Sequence, residues 1–127
     1  MTPVTRSLTG PLLTFDLEAQ LGELRSEPAY QRSGRTGRTL AKEGPLRLTL
    51  VALAEGAEVE THHTEFPMTL LVLSGSIGFR IGKRSYELGD GEILYFGPGD
   101  AHDIRASEDT AILLTIAVSS EDRAAEA

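Results

Sequence analysis

From residue 46 onward, apolar and polar side chains alternate with a period close to two, the spacing of a strand with one buried face. Leu46, Leu48 and Leu50 share a face of L-R-L-T-L-V-A-L (46–53). The runs A-E-V-E-T (57–61), M-T-L-L-V-L (68–73), I-G-F-R-I (77–81) and R-S-Y-E-L (84–88) follow. E-I-L-Y-F (92–96), A-H-D-I-R (101–105) and T-A-I-L-L-T-I-A-V (110–118) complete the set. Turn signals separate nearly all of them: E-G-A, S-G-S, G-D-G, G-P-G, and Gly82-Lys83, a two-residue hairpin signal. Eight short strands without a helical interruption predict an all-β antiparallel sandwich or barrel of the jelly-roll kind.

The first 45 residues read differently. Pro3, Gly10 and Pro11 punctuate an arm over residues 1–13 that shows no periodicity. Leu17, Leu21 and Leu24 then recur at helical spacing, with Thr14 or Asp16 available as N-cap, Glu18 in the first turn and Arg25 near the end. One short amphipathic helix is predicted at about 16–25, ending before Pro28. Residues 30–44 gather Arg32, Arg35, Arg38 and Lys42 around Gly34 and Gly37. This basic stretch is read as a solvated loop, with an anion-docking loop or a strand pairing with a partner subunit as the alternatives. The predicted organisation is therefore an N-terminal arm, helix and basic loop (1–45) packing on a barrel (46–118), then a flexible tail (119–127).

Composition narrows the functional classes. The 127 residues carry a formal charge of −7, so neither nucleic acid nor an anionic membrane is an expected partner. No cysteine is present, which removes disulfides, thiolate ligands and thiol nucleophiles. The N-terminus lacks an apolar stretch of signal-peptide length, and the longest apolar runs are too short to span a bilayer. A soluble cytoplasmic protein is expected. Neither a phosphate-cradling glycine loop nor a nucleophile elbow is found.

The candidate chemistry lies in G-A-E-V-E-T-H-H-T (56–64), which holds two of the three histidines, and around His102. Gly56, five residues, His62 and then Gly75 match the frame of one motif. Gly91, Gly99 and His102 match a second, with Pro98 displaced by one position. In these two frames the β region resembles the cupin superfamily, specifically its small single-domain members, over roughly residues 46–118. The resemblance implies a cupin jelly-roll β-barrel with a short N-terminal helix.

In metal-binding cupins the four ligands come from positions that hold His62, Thr64, Met68 and His102 in this chain. Thr64 is a poor ligand, and the Met68 thioether favours soft copper over iron or manganese. A ligand set of His62 and His102 completed by His63 or Glu65 requires an irregular strand end, because adjacent strand residues face opposite ways. Pro67 offers such an irregularity.

Three functions follow. The first is a small-molecule binding protein whose cavity is lined by His62, Met68, Tyr95 and His102. The second is a metal-dependent enzyme of dioxygenase or isomerase type, with Fe, Mn, Zn, Ni or Cu on His62 and His102. The third is a metal-free isomerase or epimerase using His102 with Tyr95, or His62 with Glu60, as acid and base. The preferred reading is the first, without a tightly bound metal and as a homodimer; the ligand's identity is not written in the sequence.

Overall fold

The computed structural model describes residues 8–61, 65–99 and 102–118. The arm before residue 8, the tail after residue 118, and His62, His63 and Thr64 lie outside the described residues. Among the described residues no helix is long and apolar enough to cross a membrane.

Helix α1 (Leu17–Arg25) begins where its cap is. The Asp16 carboxylate accepts the Ala19 N–H at 3.1 Å, satisfying one of the N–H groups the helix leaves unpaired. Its Leu21 and Leu24 are buried, as their spacing predicts. A second helix, α2 (Pro28–Ser33), was not expected. Pro28 is tolerated in its first turn, and Gly34 ends it at φ 74°, with its N–H donating to Tyr30 O at 2.8 Å. Six residues with no buried side chain leave no apolar period to detect.

The basic stretch is corrected too. Residues Arg35–Glu43 are not a loop but strand β1, which pairs along one side with the chain's own next strand and forms an edge of its sheet. A two-residue turn, Gly44-Pro45, joins it to β2 (Leu46–Leu53), with Gly44 at φ 53°. Arg38 explains the basic residues in part. Its Nη1 donates to Gln20 and Glu23 at 2.7 Å each, and its Nη2 donates to Glu27 at 3.1 Å, which ties both helices to the sheet. The hydrogen bond to Glu23 raises the Arg38 pKa above its ordinary value, against a smaller opposing effect of burial.

The remaining strands are β3 (Glu58–Thr61), β4 (Met68–Ser74), β5 (Ser76–Ile81), β6 (Arg84–Gly89), β7 (Ile93–Phe96), β8 (His102–Ala106) and β9 (Thr110–Ala117). They form two antiparallel sheets, ordered β1-β2-β9-β4-β7 and β3-β8-β5-β6. This is the all-β jelly-roll arrangement that the alternation predicts. The inner faces meet in one core: Leu53, Leu70, Val72, Phe96 and Ile112 from the five-stranded sheet, and Ile77, Phe79, Leu88, Ile104 and Ala106 from the four-stranded sheet. The helices cover part of the five-stranded sheet's outer face, where Leu21, Leu24, Leu40, Leu50, Ala52 and Ala111 form a second cluster. Strand β2 is therefore apolar on both faces, which is why L-V-A-L breaks the alternation.

Candidate functional site

The two ends of the barrel are packed differently. At one end, Leu53, Val72, Ile77, Ala106 and Ile112 are 0–1% exposed. Val51 and Ala57 flank that end and are partly buried, and toward the other end Val59, Met68, Ile81, Leu94 and Leu114 are all only partly buried against the same core. Register fixes the axial order. Met68 pairs with Phe96 and Ile116, while Ile81 pairs with His102. The second end is the open one, with an apolar inner wall.

One polar group is set into that wall. His102 begins β8 and is 2% exposed. Its ring stacks on Phe79, with centroids 5.2 Å apart and planes at 29°, and meets Phe96 edge-on at 4.4 Å and 67°. Phe79 and Phe96 are themselves 5.4 Å apart, so the three rings bridge the two sheets. Alternation along β8 places His102, Ile104 and Ala106 inward and Asp103 and Arg105 outward. Thr61, the backbone partner of His102, leads directly into residues 62–64.

The predicted site residues separate on this frame. His102 and Met68 both belong to the inner wall at the open end. His62 and His63 lie outside the described residues. Tyr95 does not line the barrel. It is 67% exposed on edge strand β7, opposite Thr69, because Phe96 takes the inward position next to it. Its hydroxyl lies over Gly97, where an added Cβ would approach it to 3.2 Å. An acid–base pair of His102 and Tyr95 is therefore not assembled. Glu65 is exposed, and Asp103 is engaged outside by Arg80, whose Nη2 donates to it at 2.9 Å. Phe79 and Phe96 are the rings that frame His102.

No group of three or more His, Asp or Glu among the described residues is placed to hold a metal. Met68 contributes a thioether and the position at 64 a neutral hydroxyl, neither of which serves a hard cation well.

A separate hollow of about 310 Å³ lies on the outer face of the four-stranded sheet, lined by Gly78 with the charged residues Glu58, Arg80, Glu87, Asp103 and Arg105 around it. Its signal in the sequence is the glycine in I-G-F-R-I, between two inward apolar residues.

Comparisons with known proteins agree with this architecture. A protein of unknown function from Streptococcus pyogenes is 19% identical, covering 94% of this chain and 98% of that one, with a TM-score of 0.67. The polyketide cyclase RemF from Streptomyces resistomycificus is 21% identical over 68% of this chain and 66% of its own, with a TM-score of 0.61. A mutant salicylate 1,2-dioxygenase from Pseudoaminobacter salicylatoxidans superposes with a TM-score of 0.80 at 12% identity, covering 96% of this chain and 39% of that one. At such identities the likeness concerns the fold alone. No curated protein sequence matches. The family profile for the cupin domain matches residues 49–118, more than half of the chain, and on that match the chain belongs to the cupin family.

Proposed function

We propose that this cupin binds a small, largely apolar molecule carrying one polar group at the open end of its barrel. The observation that carries this reading is His102, a polar side chain 2% exposed and framed by Phe79 and Phe96 on the partly buried inner wall. Ligand sites are built this way, from apolar lining with few polar groups that set orientation. A planar aromatic ring matches the rings already stacked there. Burying about 200 Å² of its apolar surface is worth roughly 5 kcal/mol before the cost of association is subtracted. Tyr95, Glu65 and Asp103 do not face His102, so the pairing of His102 with Tyr95 as acid and base is not part of this reading.

The test is a thermal-shift titration with benzoate, salicylate and benzamide on wild type and on His102→Leu, which keeps an apolar side chain at that position. A saturating probe at one hundred times its Kd stabilises by about 2.7 kcal/mol. Stabilisation of wild type, lost in His102→Leu while the ligand-free melting temperature holds, is the expected result. Equal shifts in both proteins would overturn the role of His102. About one equivalent of tightly bound metal per chain, lost in His102→Leu, would replace this reading with a metal-dependent one.

A further inference from the structure

Gly78 occupies a position that folding does not require. It lies in the middle of β5, an inner strand of the four-stranded sheet, where glycine costs backbone entropy and contributes no cross-strand contact. Its φ is not in the left-handed region. A Cβ built there would meet nothing closer than Arg105 O, at 4.0 Å. A glycine inside a strand that no turn, bulge or close packing explains marks a place where something approaches the backbone.

The side chains beside it are of opposite sign and largely uncommitted. Gly78 is the register partner of Arg105 on β8 and of Glu87 on β6, so the three lie on one line across the sheet. All three face outward, since Ile77, Phe79, Ile104, Ala106 and Leu88 take the inward positions. Among the described residues Arg105 has one charged neighbour, Glu58, at 3.6 Å, which is too long for a hydrogen bond. Glu87 forms no ion pair or side-chain hydrogen bond among them. The next row is spent, because Arg80 holds Asp103 at 2.9 Å and closes that side of the hollow.

We infer that the hollow over Gly78 binds a small zwitterion, a short amino carboxylate whose carboxylate meets Arg105 and whose ammonium meets Glu87. Spacing sets its length. Two strand separations put the Glu87 and Arg105 Cα atoms about 10 Å apart, and both side chains line the hollow between them, so a ligand that meets both spans only a few ångströms between its charges. That is the reach of an α- or β-amino acid. The hollow's volume of about 310 Å³ leaves room for a modest side chain. Because both partners are solvent-exposed, binding is weak, on the order of millimolar, and weaker in salt.

The experiment is an amide chemical-shift titration of the full chain with β-alanine and glycine, with propionate and propylamine as single-charge controls. β-Alanine should produce saturable shifts at Gly78, Glu87 and Arg105, with either control about threefold to fivefold weaker, the loss of one exposed ion contact. Gly78→Val fills the hollow with a good strand former and should abolish binding while the melting temperature is kept or raised. Glu87→Gln should reduce β-alanine binding to the level of propionate. Propionate binding as tightly as β-alanine would reduce the site to a lone anion contact and overturn the inference. Undiminished β-alanine binding by Gly78→Val, or no saturable shift in wild type, would overturn it as well. None of these outcomes depends on the barrel interior, so failure here leaves the role of His102 standing.

Discussion

Adding a single methyl group at Gly75 is expected to be among the most damaging small changes in this protein. Gly75 links β4 to β5 at φ 101°, a region side-chain-bearing residues rarely occupy. A Cβ there would fall 2.5 Å from Asp109 O and 2.8 Å from Thr110 Cα, and into contact with Thr110 Oγ1. Those atoms cannot easily give way. Thr110 is fully buried, and its hydroxyl accepts the Ser76 N–H at 3.1 Å and donates to Glu108 O at 2.7 Å. The left-handed backbone costs about 1–2 kcal/mol and the overpacking roughly a further 1–3 kcal/mol, so Gly75→Ala should lose about 2–5 kcal/mol, with the middle of the range at about 3.5 kcal/mol. Gly56 is the control, with φ 84° and no heavy atom within 4 Å of an added Cβ. Gly56→Ala should lose only the backbone part, about 1–2 kcal/mol. At this chain length each kcal/mol moves the midpoint by roughly 3–5 °C, so the two variants should melt about 10–15 °C and about 5 °C below wild type. Circular dichroism melts decide it. Equal losses in the two variants would refute the steric argument and leave only backbone strain.

Three further outcomes are expected. Phe96→Ala removes the ring that meets both Phe79 and His102, and should cost about 3–5 kcal/mol in urea unfolding; a loss under roughly 1 kcal/mol would mean the open end is not packed as described. Arg38→Met keeps the aliphatic stem but loses contacts to Gln20, Glu23 and Glu27, at a cost of about 1–2 kcal/mol that should shrink in high salt. The raised Arg38 pKa lies above the neutral range, so from the arginine's side this stabilisation is fully present at neutral pH and is lost only as pH climbs through that raised value. Asp16→Ala removes the cap on Ala19 N and should destabilise by about 1 kcal/mol, with faster hydrogen exchange concentrated in the first turn of α1.

The barrel strands were legible because a sheet with one buried face writes its phase into the chain. I-G-F-R-I and A-H-D-I-R alternate, and in both the inward residues are those the alternation names. Strand β1 was not legible. R-T-G-R-T-L-A-K-E has one fully buried side chain, Leu40, and its pairing is supplied by β2, about which its own composition says nothing. Helix α2 was missed because it is six residues long and buries none of them. Tyr95 failed for a third reason. In I-L-Y-F every residue is apolar or aromatic, so the period is invisible and either phase is admissible. The pairing of Met68 with Phe96 and Thr69 with Tyr95 decides it, and that information is non-local.

The division of labour between the sheets follows from which outer face has a cover. Helices α1 and α2 pack on β1, β2 and β9, so the outward residues Leu40, Leu50, Ala52 and Ala111 serve as core and carry no chemistry. The four-stranded sheet has no such cover in the described chain. Its outward residues Arg80, Glu87, Asp103 and Arg105 are charged, as solvent requires, and one position among them is instead a glycine. A solvated face gains nothing from a glycine in mid-strand, so the uncovered sheet is where a side chain's absence is informative. The inner wall obeys the reverse logic, because every position there is expected to be apolar. There the informative residue is the polar exception, His102, buried where a leucine would pack at lower desolvation cost. Each feature departs from what its own surface demands, and that departure, rather than residue type, separates both positions from the scaffold.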